Sequence, residues 1–206
     1  MNKKYLIAIV VCIIALVSYC DGNNESAPDN YVESIRNNDF KSAHEILDKK
    51  LNRAVELNAS DHYDAEDAQE DFWAAADHIY KAEIMYLVEM NDTEANKRLL
   101  KTFAMMNVIG DKPQGKVSAY SSIRKYENYS IFVTRFNRLC DEVLNISILN
   151  KNKEMAETIL ALYKEDCSAP YKKDGDDGHY YFDFSYSSKE SADKKFREAV
   201  ENGTLE

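Results

Sequence analysis

Proline, glycine and positive charge are all in short supply in this sequence. Its 206 residues include three prolines and six glycines, which argues against a β-sandwich, because the many short strands of that fold need frequent turns. Lys and Arg number 26 against 36 Asp and Glu, which gives a net charge of −10. An acidic surface of this kind repels phosphate backbones, so nucleic acid is not an expected partner.

Familiar catalytic and metal-binding motifs are also missing. The sequence has no G-x-S-x-G and no H-E-x-x-H segment, the signatures of α/β-hydrolases and zinc proteases. Its four histidines are scattered, and none follows a glutamate by three residues, as helical di-iron sites require. We therefore predict no catalytic residue, no metal site and no cofactor. A carboxylate pair remains an open alternative, because spacing alone cannot choose among so many acids.

One continuous apolar run is present, near the start of the chain. It covers residues 5–19 and follows Lys3 and Lys4. Its length suits a signal peptide and falls short of the roughly 20 residues that a membrane-spanning helix needs. We interpret residues 1–19 as a signal peptide, the polar residues 20–29 as a tether, and residues 30–206 as a single domain.

The end of the apolar run is a cysteine. Residues 16–20, Leu-Val-Ser-Tyr-Cys, resemble the signal of bacterial lipoproteins, in which an apolar triplet precedes a cysteine that is diacylated and becomes the N-terminus. Tyr19 departs from that pattern, which has Gly, Ala or Ser before the cysteine. The resemblance implies that Cys20 is lipidated and that the protein is anchored outside the cytoplasm, in the inner or outer membrane of a bacterial cell envelope. An ordinary secretory signal and an uncleaved anchor are the alternatives.

The predicted location outside the cytoplasm allows two other cysteines to form a disulfide. Cys12 belongs to the signal peptide, so Cys140 and Cys167 remain as a pair, and disulfides persist in oxidising compartments. We predict that the two are bridged, with two buried thiols as the alternative. If the chain reverses near residue 151, the two lie roughly 7 Å apart along the helix axis. A bridge then requires the second helix to end early, near residue 164 or 165.

Apolar residues recur every three or four positions along most of the chain after the tether, which is the spacing of one helix face. The stripes run from Phe40 to Leu57, from Ala65 to Met90, from Leu99 to Met106, from Ile123 to Val143 and from Met155 to Leu162. We expect Gly110 to end the third helix, because glycine readily adopts the left-handed conformation found after helix ends. The fold class predicted is all-α.

Similar polar bends separate these helices. Residues 37–47, which read NNDFKSAHEIL, resemble the turn of a tetratricopeptide repeat, and comparable bends open residues 90–95 and 150–160. In the second bend, Asn91 and Glu94 have the spacing of a capping box. The bends are more than 50 residues apart, against 34 in that family. The resemblance implies a right-handed stack of helical hairpins, in which each hairpin buries its apolar face against its neighbours.

Four aromatic residues alternate near the C-terminus. They are Tyr180, Phe182, Phe184 and Tyr186, and alternation places them on one side of an extended chain. They either fill the groove of the last hairpin or form a platform for sugar rings or a peptide. A helix over residues 187–200, ended by Gly203, is expected to cap the stack.

Three classes of function follow from these features. We predict a membrane-anchored, non-catalytic helical scaffold that binds a protein or peptide partner, as helical-repeat proteins do. One alternative is a glycan-binding accessory lipoprotein of a surface sugar-uptake system, supported by the alternating aromatic residues. Another is an enzyme with an unrecognised carboxylate site.

Overall fold

The computed structural model describes residues 30–106, 108–110, 116–123, 126–163, 180–182 and 186–206. The predicted signal peptide, the predicted lipid-anchor residue Cys20 and the tether lie outside the described residues, as do Cys167 and Phe184. The described part of the chain is almost entirely helical, which confirms the all-α prediction.

Eight helices and two short strands make up the described residues. In chain order they are α1 (Tyr31–Arg36), α2 (Phe40–Ala59), α3 (Ala65–Glu89), α4 (Thr93–Met105), β1 (Val108–Gly110), α5 (Lys116–Ser122), α6 (Tyr126–Leu149), α7 (Lys153–Leu162), β2 (Tyr180–Phe182) and α8 (Tyr186–Glu201). Helices α2, α3 and α7 coincide closely with the stripes predicted from apolar spacing. No helix within these ranges is long and apolar enough to cross a bilayer.

Helices α1 and α5 had no counterpart in the sequence prediction, and the middle of the chain differs from it in two further places. Helix α4 ends at Met105, and Gly110 lies in β1 rather than at a helix end. The predicted helix from Ile123 is in fact interrupted, because Ile123 lies in a turn between α5 and α6. Its carbonyl oxygen accepts a hydrogen bond from Nε1 of Trp73 at 3.3 Å. Ile123 would be buried both in a continuous helix and in the turn that the structure shows. Apolar spacing alone therefore does not reveal the break.

The two strands form a small antiparallel ribbon. Val108 pairs with Phe182 and Gly110 with Tyr180, so the backbone is extended at Tyr180–Phe182, as the alternation predicted. Tyr186, however, is the first residue of α8, so the extended stretch is shorter than expected. Extended backbone needs a partner strand to satisfy its hydrogen bonds, and within the described residues β1 supplies one only for Tyr180–Phe182.

The three polar bends share one backbone geometry. Asn38, Asn91 and Lys151 have positive φ angles of 55°, 57° and 57°. In the first bend the N–H of Asn38 donates to the carbonyl of Ile35, and the next N–H donates to the carbonyl of Ser34. The other two bends repeat this pair of bonds. It is the Schellman arrangement, which satisfies the last carbonyl groups of the preceding helix.

The residue after each left-handed position caps the next helix. Side-chain oxygens of Asp39, Asp92 and Asn152 accept backbone N–H bonds at 3.1, 2.9 and 2.9 Å, three residues further on. Asp92 is therefore the N-cap of α4, and the capping box predicted at Asn91 is wrong by one residue. A helix ends and the next begins within three residues, so each bend produces a tight hairpin.

The hairpins α1–α2, α3–α4 and α6–α7 lie side by side. Their first helices contact one another in order, α1 with α3 and α3 with α6, and α6 then contacts α8. Ion pairs join Asp77 to Arg135 at 3.2 Å and Lys81 to Glu142 at 3.3 Å. Since both sequence numbers increase together, α3 and α6 run parallel. The three bends consequently lie at the same end of the molecule, where Asn152 donates to the side chain of Asn91.

An aromatic cluster joins the second hairpin to the third. The rings of Tyr80 and Phe103 stack with their centroids 4.4 Å apart, and Phe103 meets Phe136 edge-on at 5.3 Å. These residues come from α3, α4 and α6, and all three are buried. Each such side chain contributes about 1.5–3 kcal/mol by leaving water. The cluster therefore fixes α4 against α3 on one side of the molecule.

Candidate functional site

Helices α2 and α4 both pack on α3 and leave a groove between them. Its volume is about 330 Å³. The residues that line it are His44, Leu47, Asp48, Leu51, Phe72, Tyr80, Glu83, Leu99, Thr102 and Tyr120. Helix α3 forms the floor, α2 and α4 form the walls, and Tyr120 of α5 closes one end. We call this site the α2–α4 groove.

The floor of the α2–α4 groove is aromatic, and each of its rings packs on a neighbouring ring. Phe72 and Tyr80 are 1% and 5% exposed. Phe72 stacks on Tyr120 with ring centroids 6.1 Å apart, and Tyr80 stacks on Phe103 at 4.4 Å. Rings that are packed on two sides lose little further freedom when a ligand binds, so this floor is preorganised.

Acidic groups are grouped toward the end of the groove nearest the bends. Nε2 of His44 lies 2.6 Å from Oε2 of Glu83. An ionised carboxylate can only accept, so Nε2 carries the hydrogen and donates it. The His44 ring also meets Tyr80 edge-on, with centroids 4.9 Å apart. Asp48 lies one helical turn beyond His44 on α2, and its side chain also lines the groove.

The charge of the groove lining is negative. Asp48 and Glu83 contribute carboxylates, and the lining includes neither lysine nor arginine. A protonated His44 would offset only one of the two negative charges. A concave site with charges of one sign concentrates the field and attracts ligands of opposite sign. The groove therefore favours a ligand that is apolar along its length and positively charged at one end.

The lining does not provide the parts of a nucleophilic active site. Neither serine nor cysteine lines the groove. The hydroxyl of Thr102 donates to the carbonyl of Arg98, within its own helix, at 3.0 Å. His44 has a carboxylate partner, Glu83, but the lining offers it no nucleophile to activate. Within the described residues, no three His, Cys, Asp or Glu side chains are grouped so that they could hold a metal ion.

Cys140 of the predicted disulfide is buried on α6. It faces the α7 side of its hairpin, since Cys140 and Asp141 help to raise the pKa of Tyr163, after the larger effect of burial. Helix α7 ends at Leu162, early enough for the chain to fold back as a bridge would require. Cys167 lies outside the described residues, so the disulfide stays a prediction.

The predicted aromatic platform is only partly described. Tyr180 and Phe182 lie in β2 and Tyr186 begins α8. Phe184 lies outside the described residues. Whether these four side chains share one face stays a prediction.

The α2–α4 groove is not among the features predicted from the sequence. His44 and Asp48 are next to the apolar stripe residues Ala43 and Leu47, and a His–Asp pair four residues apart on the border of such a stripe was the available signal. Glu83 comes from a helix 39 residues further along the chain. Nothing in the local sequence connects it with His44.

Taken together, the fold and the site define a helical-hairpin protein with an acidic, apolar-floored groove. Comparison of the chain with protein-family models, with curated proteins and with solved structures found no match. Function is therefore inferred from the residues of the groove and the order of the helices.

Proposed function

We propose that this chain is a non-catalytic scaffold, a tetratricopeptide-like right-handed stack of helical hairpins that binds a peptide segment of a partner protein. Two features support a repeat architecture. The three bends share one Schellman turn and one N-cap position. The second helix of one hairpin also contacts the first helix of the next, as α2 does with α3 and as Phe103 of α4 does with Phe136 of α6. Stacked hairpins of this kind present extended binding grooves.

The α2–α4 groove is the single observation that carries the binding proposal. Its volume of about 330 Å³ lies at the lower end of the range for small-molecule pockets, which suits one or two peptide side chains. Its floor is aromatic and buried, while His44 and Glu83 keep 29% and 21% of their side chains exposed. A mostly apolar pocket with a few convergent polar groups is the usual form of a ligand site.

In this proposal the scaffold is held at a bacterial cell envelope through a lipid on Cys20. The support is the leader itself, with two lysines, an apolar run and a cysteine followed by a polar tether.

Selection of peptides tests the binding proposal. Random 12-residue peptides displayed on phage are selected on the full-length chain in detergent micelles. We expect an enriched consensus that Leu99→Trp abolishes, because Leu99 is half-buried in the groove wall and the larger side chain fills the groove. Leu149→Trp is the matched control, since Leu149 is 71% exposed and is not among the residues that line the groove. Failure to obtain any consensus, or a consensus that Leu99→Trp retains, contradicts the proposal.

Metabolic labelling with a fatty-acid probe tests the anchor. We expect the wild-type chain and a Cys140→Ala variant to be labelled and to sediment with membranes. Cys20→Ala should remain unlabelled, because it lacks the thiol that is acylated. Equal labelling of wild type and Cys20→Ala would contradict lipidation at this residue.

A further inference from the structure

The α2–α4 groove has an apolar part and an acidic part arranged along its length. Phe72 and Tyr120 stack at one end, and His44 and Glu83 form their bond toward the other. Eleven residues of α3 separate Phe72 from Glu83, which corresponds to about 16 Å of helix. A ligand that lies along the floor therefore passes from aromatic surface to carboxylate.

Glu83 is able to accept a further hydrogen bond. His44 occupies Oε2 of Glu83 at 2.6 Å, and Oε1 has no donor among the residues that the structure describes. The side chain is 21% exposed, so a ligand in the groove can reach it. The bond to His44 also restricts the carboxylate to one orientation, which lowers the entropy that a ligand must pay to use it.

We infer that the α2–α4 groove binds a lysine or arginine side chain of the partner segment, with its aliphatic part on the apolar floor and its charged end at Glu83. This inference rests on the proposed function. Lysine and arginine combine a long apolar stem with a cationic end. The stem can lie on Tyr80, about one helical turn before Glu83 on α3, while the charged end contacts the carboxylate. The lining includes neither lysine nor arginine, so a basic side chain of the ligand meets no like charge of those two residue types there.

Other occupants fit the lining less well. An acidic side chain would be repelled by Glu83 and Asp48. A purely apolar side chain would remove water from Oε1 of Glu83 without replacing the hydrogen bonds that the water made, and desolvating a carboxylate oxygen in this way is costly. A cationic end group avoids this cost, because it forms a charge-assisted hydrogen bond with the carboxylate.

A double-mutant cycle between peptide and groove tests this inference. The probe is a peptide selected on the full-length chain as described above, labelled with a fluorophore, and its affinity is measured by fluorescence polarisation. Its basic residue is replaced by norleucine, which keeps the apolar stem and lacks the charge. On the chain, Glu83→Gln keeps an acceptor for His44 and removes the charge. Glu45→Gln is the matched control, because Glu45 is exposed elsewhere on α2.

We expect selected peptides to share Lys or Arg at one fixed position. Norleucine there should weaken binding to wild type and to Glu45→Gln by about 10- to 100-fold, the range for hydrogen bonds between charged groups. On Glu83→Gln the same replacement should change affinity less than about threefold, because the charge it contacts is already gone.

Two results would overturn the inference and leave the scaffold proposal intact. One is a groove-dependent consensus without a basic residue. The other is an equal loss from norleucine on wild type and on Glu83→Gln, which would place the basic residue elsewhere. Failure to select any consensus would overturn both the inference and the proposed function. Circular dichroism of Glu83→Gln should match wild type, so that loss of fold is not mistaken for loss of binding.

Discussion

Asn96 is a fully buried polar residue in the second hairpin. It follows the left-handed residue Asn91 by five positions, where the first and third hairpins have the fully buried alanines Ala43 and Ala156. Its Nδ2 donates to the carbonyl of Ile84 at 2.9 Å, while its Oδ1 has no partner among the described residues. A buried polar atom without a partner costs about 1–3 kcal/mol, a cost that the alanines of the other two hairpins avoid at this position.

Substitutions at this position test how much the unpartnered amide oxygen lowers the free energy of unfolding. Asn96→Ala should change the free energy of unfolding by less than about 1 kcal/mol, because the lost hydrogen bond and the gain from removing the orphaned oxygen nearly offset. Ala156→Asn should lower it by at least about 2 kcal/mol, because it adds volume and an unpartnered amide to a filled site. Urea denaturation measures both. A large loss from Asn96→Ala would show that the Ile84 bond dominates.

Asp39 provides a prediction that depends on pH. The hydroxyl of Ser42, followed by its backbone N–H, lowers the pKa of Asp39 below the ordinary value of 3.8. Because the folded-state pKa lies below the unfolded-state pKa, the ionised cap stabilises the fold above pH 3.8, and this contribution is lost as the pH falls through the folded-state pKa.

Removal of the Ser42 hydroxyl should change the pKa of Asp39. Ser42→Ala is expected to raise the pKa of Asp39 toward 3.8, while the backbone N–H bond remains. Carbon-detected NMR titration of the carboxyl group measures it. Thr158→Ala, whose hydroxyl bonds within its own helix, is the control and should leave Asp39 unchanged. An unchanged pKa in Ser42→Ala would mean that the backbone bond is sufficient.

At the scale of elements, the bends differ in how well their residues suit the left-handed conformation. Asn38 and Asn91 adopt it with positive φ, and asparagine tolerates that region better than most residues. Lys151 adopts the same conformation with a φ of 57°. A residue of this type costs roughly 1–2 kcal/mol there, whereas glycine does not. The third bend is therefore held in its conformation by the helices on either side of it.

Glycine at this bend should stabilise the protein. We expect Lys151→Gly to raise the free energy of unfolding by about 0.5–1 kcal/mol, after the entropy that glycine loses on folding is taken into account. Asn91→Gly should gain less, and Lys151→Ala should gain nothing because alanine has the same steric conflict. Thermal and urea denaturation of the three variants measure the order. A gain for Lys151→Ala would contradict the backbone explanation.

At the scale of the whole molecule, α8 packs against the third hairpin. It packs on α6 and α7, and Lys195 forms an ion pair with Asp141 of α6. The chain then turns at Gly203, which has a φ of 74°, and directs Leu205 into the core, where it is 1% exposed. The last residues of the chain are therefore part of the fold.

Truncation of Leu205 tests how much its burial contributes to the free energy of unfolding. Leu205→Ala should lower the free energy of unfolding by about 2–3 kcal/mol, as for other buried leucines. Val200→Ala is the control on the same segment, since Val200 is 39% exposed, and should change it by less than about 0.5 kcal/mol. Equal effects of the two substitutions would indicate that the C-terminal residues are not anchored.

The sequence by itself determined the helical class, the approximate extent of α2, α3, α7 and α8, and the three polar bends where the chain reverses. These features are local, because a helix bonds within itself and a bend needs only a residue that tolerates positive φ beside a capping side chain. The capping residue was misplaced by one position because Asn91 and Asp92 are adjacent and both residue types are good N-caps. In the structure the backbone N–H of Ala95 donates to Asp92, which identifies Asp92 as the cap.

Only the tertiary structure decided the break at Ile123 and the existence of the α2–α4 groove. The break involves the indole of Trp73, 50 residues away, and the groove needs His44 and Glu83 to meet across 39 residues. Such contacts depend on the register and angle at which helices pack, which arise from many side chains interlocking at once. A sequence pattern records which face of each helix is apolar, but it does not record which polar residues two packed faces bring together.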